Sequence, residues 1–151
     1  ALDVTIQAQI LDLMRDLQEK TGTAIVLITH DMGVVAENAD RVVVMYAGRK
    51  VEEASMEELF DYPSHPYTQG LLGSIPNLEE AAHLEGKRPR LSEITGMVPS
   101  LTRLPPGCAF APRCRHAVDK CRAAYPPLEE FRPDHWVACW RAAELSAGDV
   151  Q

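Results

Sequence analysis

The chain has 151 residues, 46% of them hydrophobic, and a formal net charge of −7. That composition supports a hydrophobic core, but no run of about eighteen apolar residues is present to span a bilayer. The acidic balance speaks against a nucleic-acid partner, because phosphate-backbone binding needs clustered Lys and Arg. The charge is uneven: residues 101–145 hold seven of the fifteen Arg/Lys and only five of the twenty-two Asp/Glu. This mildly basic stretch reads as an ordinary solvated surface. The chain opens Ala1-Leu2-Asp3, with neither an initiator Met nor a secretory leader, and reads as a fragment of something longer.

Ile6, Ile10, Leu13, Met14 and Leu17 recur at helical spacing and predict an amphipathic helix over roughly residues 5–20, stopped by Gly22. Thr23-Ala24-Ile25-Val26-Leu27-Ile28-Thr29 is a short β-branched run that fits a strand buried on both faces, as in a parallel sheet. His30 and Asp31 follow it, and a short helix is expected over 32–38. Arg41 to Tyr46 reads as a strand, turned by Ala47-Gly48-Arg49 and returned by Lys50 to Glu53 as a hairpin. Ser55 with Glu58 has the spacing of a capping box for a helix through about Phe60. All eleven prolines fall at or beyond residue 63, so loop-rich structure is expected there, with short helices near 67–73 and 115–123. A boundary is expected near residues 75–95.

A histidine beyond the carboxyl end of a buried strand is placed where open α/β sheets bind ligands. It can donate to a phosphate or orient an attacking water; the plainer reading is a surface or helix-capping residue. The residues around His30 add to this. Ala1-Leu2-Asp3 before a helix, then Ile25 to Asp31, then Ala39 to Met45, resemble the ATP-binding subunits of ABC transporters. Residues 1–3 look like the end of the D-loop and His30 like the switch histidine of the H-loop. The resemblance implies that Asp3 helps two nucleotide sites communicate, and that His30 contacts the γ-phosphate and positions the hydrolytic water. No G-x-x-x-x-G-K-S/T phosphate loop, ABC signature or apolar strand ending in Asp-Glu occurs in the chain. It is therefore expected to start just after the catalytic glutamate, and alone neither to bind ATP tightly nor to hydrolyse it.

The four cysteines, Cys108, Cys114, Cys121 and Cys139, follow C-x5-C-x6-C-x17-C. Three readings are open on spacing. Disulfides need an oxidising compartment, which a cytosolic ATPase does not meet. Zinc usually brings a close C-x2–4-C pair, which is missing. A 4Fe–4S cluster takes four cysteinates and suits ligands spread over loops, but the compact ferredoxin spacing is absent. Arg113, Arg115, Lys120 and Arg122 lie beside the thiols and would offset negative charge. His65, His116 and His135 are alternative ligands or plain exposed histidines, and Trp136 and Trp140 read as packing groups.

His65-Pro66-Tyr67-Thr68-Gln69-Gly70-Leu71-Leu72, Gly96-Met97-Val98-Pro99-Ser100-Leu101 and Leu104-Pro105-Pro106-Gly107-Cys108-Ala109-Phe110-Ala111-Pro112-Arg113-Cys114 are very similar to the C-terminal extension of oligopeptide and dipeptide importer ATPases. Cys121, Pro126-Pro127-Leu128 and Val137-Ala138-Cys139-Trp140 continue the match. The expected fold class is α/β: residues 1–75 as the C-terminal part of an ABC ATPase domain, and 76–151 as an irregular, loop-rich, cysteine-containing extension. The resemblance implies that the intact subunit uses ATP and Mg²⁺ and drives peptide import from the cytoplasmic face of the membrane. Its implied partners are a second ATPase subunit, two permease subunits and, indirectly, an external solute-binding protein. It also implies that Cys108, Cys114, Cys121 and Cys139 ligate a 4Fe–4S cluster, with zinc as the other candidate. The rival expectation is a stand-alone cluster- or zinc-binding interaction module with no ATPase role.

Overall fold

The computed structural model describes residues 4–75 and 93–146, and the chain divides into two compact units, Ala1–Asn38 and Ala39–Gln151. Residues 1–3, Asp3 among them, lie outside the described residues. So does most of the boundary expected near 75–95.

In the first unit, α1 (Val4–Thr21) closes where Gly22 takes a φ of +66° and donates its N–H to the Gln18 carbonyl. A left-handed residue just past a helix satisfies end carbonyls, and glycine does so without strain. The predicted apolar stripe is real but uncovered: Ile6, Ile10, Leu13 and Leu17 are all exposed. The run 23–29 is not a strand, which corrects the expectation from its β-branched composition. A strand buried on both faces needs hydrogen-bonded neighbours and covering layers. None pairs with it among the described residues, and Val26 and Ile28 are 88% and 93% exposed. Asp31 Oδ1 then accepts from the N–H groups of Gly33 and Val34, at 2.9 and 3.3 Å. This starts α2 (Met32–Asn38). Arg15 donates to Asn38 Oδ1 at 2.9 Å and ties the two helices together.

The second unit is built on an antiparallel sheet. Strands β1 (Arg41–Tyr46) and β2 (Arg49–Ser55) form the predicted hairpin, turned at Ala47 and Gly48 with φ of +48° and +76°. Two successive left-handed residues match the right-handed twist of the strands. A bulge after Val44 shifts the register, so that Val51, Glu52 and Ala54 of β2 are all buried. Ser55 Oγ accepts from Glu58 N at 3.2 Å and starts α3 (Met56–Asp61). Only this half of the expected capping box forms. The Glu58 carboxylate turns instead to Arg132 and His135, at 3.1 and 3.4 Å. Helix α4 (Pro66–Leu72) follows.

Among the described residues, the proline-rich half has more regular structure than its composition predicts. Besides a 3₁₀ turn (Ala111–Arg113) and α5 (Asp119–Ala123), it forms a second hairpin of β3 (Glu129–Arg132) and β4 (His135–Val137) before α6 (Ala142–Ser146). Strand β4 pairs with β2, giving the order β1-β2-β4-β3. The expectation of an irregular extension is corrected there: two of its strands complete the sheet. The core joins Val44, Tyr46, Val51, Ala54 and Leu59 to Ala109 and Phe110. Tyr46, Tyr67 and Phe110 meet with ring centroids 4.7 to 5.5 Å apart, two of the three pairs edge-on. One side of the cysteine loop is thus anchored in the sheet core.

A candidate four-cysteine centre

Cys108 follows Gly107, and the chain there runs against the end of α5. Cys108 N donates to the Cys121 carbonyl at 2.8 Å. A Cβ on Gly107 would stand 2.2 Å from that carbonyl oxygen and 2.6 Å from the Arg122 carbonyl carbon. Backbone atoms cannot yield cheaply, so only glycine fits. Gly107→Ala is expected to cost about 1–3 kcal/mol by overpacking, read as a fall in the denaturation midpoint.

Beyond Cys108 the buried Phe110 holds the loop down, and the 3₁₀ turn brings Cys114 round, its N–H on the Ala111 carbonyl at 3.3 Å. Cys121 is buried in α5, with its N–H on the Val118 carbonyl. Cys139 follows β4, fixed by the Ala138 N–H on the Val51 carbonyl at 2.8 Å. Three neighbouring thiols and one brought in from after β4 thus face one another.

All four line one pocket that is partly open to solvent. None is in a disulfide. Backbone N–H groups are directed at their sulfurs: Phe110 and Ala111 at Cys108, His116 at Cys114, and Arg141 at Cys139, the last at 3.4 Å. Such donors favour thiolates, yet burial outweighs them. It raises Cys108 and Cys114 above the ordinary thiol range and Cys139 to about 11. Without a positive partner these groups stay as thiols; a bound metal supplies that charge and deprotonates them.

The basic residues named from sequence divide. Arg113 is spent on structure, donating to the carbonyls of Ile94 and Thr95 at 2.6 and 2.9 Å and to Tyr46 Oη. Lys120 sits 3.7 Å over the Trp140 ring, and Arg122 faces Asp119. Arg115 and Arg141 are the cations whose charge favours the Cys114 thiolate. Arg141 was not anticipated; its Nη1 donates to the His116 carbonyl at 3.1 Å. Trp140 donates to the Ala124 carbonyl and closes one wall of the pocket.

Of the three histidines, His65 and His116 line the pocket and His135 does not. His65 and His135 are buried, not exposed. His65 accepts the Tyr67 N–H on Nδ1 at 3.0 Å and so caps α4; burial lowers it to about pKa 4, against the opposing pull of Glu52. His135 Nε2 lies 2.8 Å from Glu52 Oε1, both side chains fully buried. Glu52 also accepts from the N–H groups of Ser64 and His65, at 2.7 and 3.1 Å. This buried polar centre pins β2, β4 and the start of α4 together. Sequence reasoning missed it; its one trace is a carboxylate that the bulge turns inward. His30 is exposed and belongs to the first unit.

Among the described residues no group of three or more His, Cys, Asp or Glu is positioned to hold a single metal ion.

Residues 51–121 match the family model described as the C-terminal region of the oligopeptide/dipeptide transporter. Over those residues the chain is similar to that family. The matched stretch runs from β2 through Cys121 and contains His65 and three of the four cysteines; Cys139 lies beyond it. Similarity to individual proteins extends further. The chain is 54% identical over 147 residues to a protein of Brucella ovis named for peptide import and ATP binding, covering 97% of this chain and 44% of that one. It is 52% identical over 147 residues to the oligopeptide transport ATP-binding protein AppD of Bacillus subtilis, covering 97% and 43%. It is 51% identical over 148 residues to the oligopeptide transport ATP-binding protein OppD of Mycobacterium tuberculosis, covering 98% and 23%. The chain spans less than half the length of each of these relatives.

Proposed function

We propose that this chain is the C-terminal portion of the ATP-binding subunit of an ABC importer of oligopeptides or dipeptides. The observation that carries this is identity above 50% over nearly the whole chain to proteins named for ATP binding in peptide transport. The same names favour it over a stand-alone metal-binding module. In this reading residues 1–75 close the nucleotide-binding domain and 76–151 form the extension. Asp3 serves communication between two nucleotide sites. His30 contacts the γ-phosphate of ATP bound with Mg²⁺ and helps position water. The subunit works at the cytoplasmic face of the membrane with a second ATPase subunit, two permease subunits and a solute-binding protein. No helix among the described residues is long and apolar enough to cross a membrane; in this reading the permeases supply the path. The 151-residue chain, without a phosphate loop, is expected to show no specific ATPase activity.

The test uses the full-length subunit assembled with its permeases in vesicles. His30→Ala is expected to cut peptide-stimulated ATP hydrolysis and peptide uptake at least a hundredfold, about 2.7 kcal/mol of lost transition-state stabilisation. Hydrolysis and uptake that survive His30→Ala would remove the histidine from its assigned role. An assembled transporter that hydrolyses ATP without moving peptides would refute the substrate class.

We assign the four-cysteine pocket to a 4Fe–4S cluster held by Cys108, Cys114, Cys121 and Cys139. Its support is the convergence of four undisulfided thiols on one pocket, with backbone N–H groups directed at three of the sulfurs. With all four irons held by protein, the bound cluster would act as a cross-link and leave no open position for substrate. In this reading Gly107 permits the close approach of the first thiol, Phe110 anchors the loop, and Arg115 and Arg141 offset thiolate charge.

A further inference from the structure

We propose that His135 is a proton-operated latch. With a proton on each ring nitrogen it joins Glu52 of β2 to Glu58 of α3 and holds the β3–β4 hairpin on the sheet. Without one of them it lets the hairpin come away, and Cys139 behind it. The latch does not depend on what the four thiols hold. Its basis is the geometry of the ring. His135 Nε2 lies 2.8 Å from Glu52 Oε1, and His135 Nδ1 lies 3.4 Å from Glu58 Oε1. Ionised carboxylates only accept hydrogen bonds, and a neutral imidazole has one N–H to give. Carboxylates on both nitrogens are therefore satisfied together only by the imidazolium.

The groups packed around the ring fit that charge. Glu52 also receives the N–H groups of Ser64 and His65, so it faces donors on every side shown. Glu58 pairs with Arg132 of β3 at 3.1 Å; burial works against its charge, but Arg132 and His135 hold it below the ordinary carboxylate range. His65 also faces Glu52, but burial lowers it to about pKa 4, so it is neutral where His135 titrates. Asp134, the preceding residue, is engaged by Arg41 at 2.7 Å, and Phe131 sets its ring edge-on to His135. The His135 side chain is fully buried and Glu58 is partly exposed, so the proton reaches water on the Glu58 side.

The position of the ring gives it leverage. The β3–β4 hairpin ends the sheet and is joined to it through β4, which is three residues long and pairs with β2 at Val137 and Trp136. The Ala138 N–H on the Val51 carbonyl is the next tie, and Cys139 follows directly. A neutral His135 keeps its bond to one carboxylate and turns a lone pair on the other. With so few backbone ties, the hairpin can open locally at less cost than the whole unit. Burial weakens the hold of the ring on its proton, but Glu52 and Glu58 outweigh it and raise His135 above 6.5. The closed hairpin thus binds the proton more tightly than the open one. Opening is expected to grow up to about tenfold per pH unit above roughly 6.5 and to level off beyond the raised value.

Amide hydrogen exchange of the 151-residue chain from about pH 6 to about pH 9, corrected for the intrinsic effect of pH, tests this. Protection of the Ala138 amide is expected to fall as pH climbs, while the β1–β2 ladder holds. Glu58→Gln separates a latch from a plain ion pair. Its amide N–H can donate to His135 Nδ1, so the neutral ring keeps both contacts. Ala138 protection in Glu58→Gln is expected to exceed the parent's at the alkaline end, with a smaller fall across the range. Lower protection than the parent at every pH is what a structural ion pair predicts, and it would overturn the latch. Parent protection at Ala138 that does not change with pH would overturn it too. So would an equal fall in the β1–β2 ladder, which would make the effect global. If Glu58→Gln does not fold, the ring decides on the parent chain. Long-range ¹H–¹⁵N correlation at the acid end is expected to show protons on both nitrogens of His135, and a single proton there refutes the proposal.

Discussion

Replacing Glu52 by Ala is expected to cost about 3–5 kcal/mol, the range for removing one partner of a buried charge pair. Its carboxylate is fully buried and receives the Ser64 and His65 N–H groups and His135 Nε2. Truncation would leave two backbone donors and an imidazole without their acceptor, in a place water does not reach. The loss would show as a large fall in denaturation midpoint and as early hydrogen exchange in β4. A Glu52→Ala chain as stable as the parent would contradict the account of this centre.

The pair also sets a pH dependence. Burial alone would lower the pKa of His135, but the hydrogen bonds and charges of Glu52 and Glu58 outweigh it and raise the pKa above its usual 6.5. Arg132, bonded to Glu58, and the neighbouring His65 complete the titratable surroundings. A raised folded pKa means that the folded state holds the proton more tightly than the unfolded one. The stabilisation is full below about pH 6.5 and is lost as pH climbs through the raised value. His65 acts in the opposite sense, its depressed pKa costing stability as pH falls from 6.5 towards 4. Stability is therefore expected to decline on both sides of a maximum, and His135→Gln should flatten the alkaline side. An unchanged alkaline slope in His135→Gln would assign that decline elsewhere.

The second large effect is expected at the thiols. Cys121 is the most buried of the four, and its carbonyl holds the Cys108 N–H. Cys121→Ser in the metal-loaded chain should release most of the iron and expose residues 104–126 to hydrogen exchange. Metal-linked stability in small, loop-rich segments is folding stability. Ser also puts a hydroxyl where the buried thiol sat, which costs stability by itself, so the iron content is the deciding readout. A variant that keeps its full metal content would remove Cys121 from the ligand set.

What could be read in the amino-acid sequence follows the range of the interactions. The stripe of α1, the hairpin turn at Ala47-Gly48 and the Ser55 cap are local, and each was legible from a few neighbouring residues. The run 23–29 was misread because β-branched composition cannot say whether pairing partners are at hand. Strands β3 and β4 escaped notice because they are four and three residues long, β3 begins with two glutamates, and β4 gains its place only by pairing with β2 far up the chain. The inward turn of Glu52 depends on a bulge, which no periodicity shows. At the site, the four cysteines were evident as residues. Their gathering in one pocket depends on a close approach at Gly107 and on the docking of Ala138 against Val51, both long-range events. His65 looked like an exposed histidine because its capping role is visible only once α4 is known to begin at Pro66.

The most direct test of the four-cysteine centre is metal analysis of chain purified without oxygen, with an absorption spectrum of the same sample. The account predicts about four irons and as many sulfides per chain, with the broad visible absorption of a 4Fe–4S cluster. One zinc per chain, or four free thiols with no metal, would contradict it.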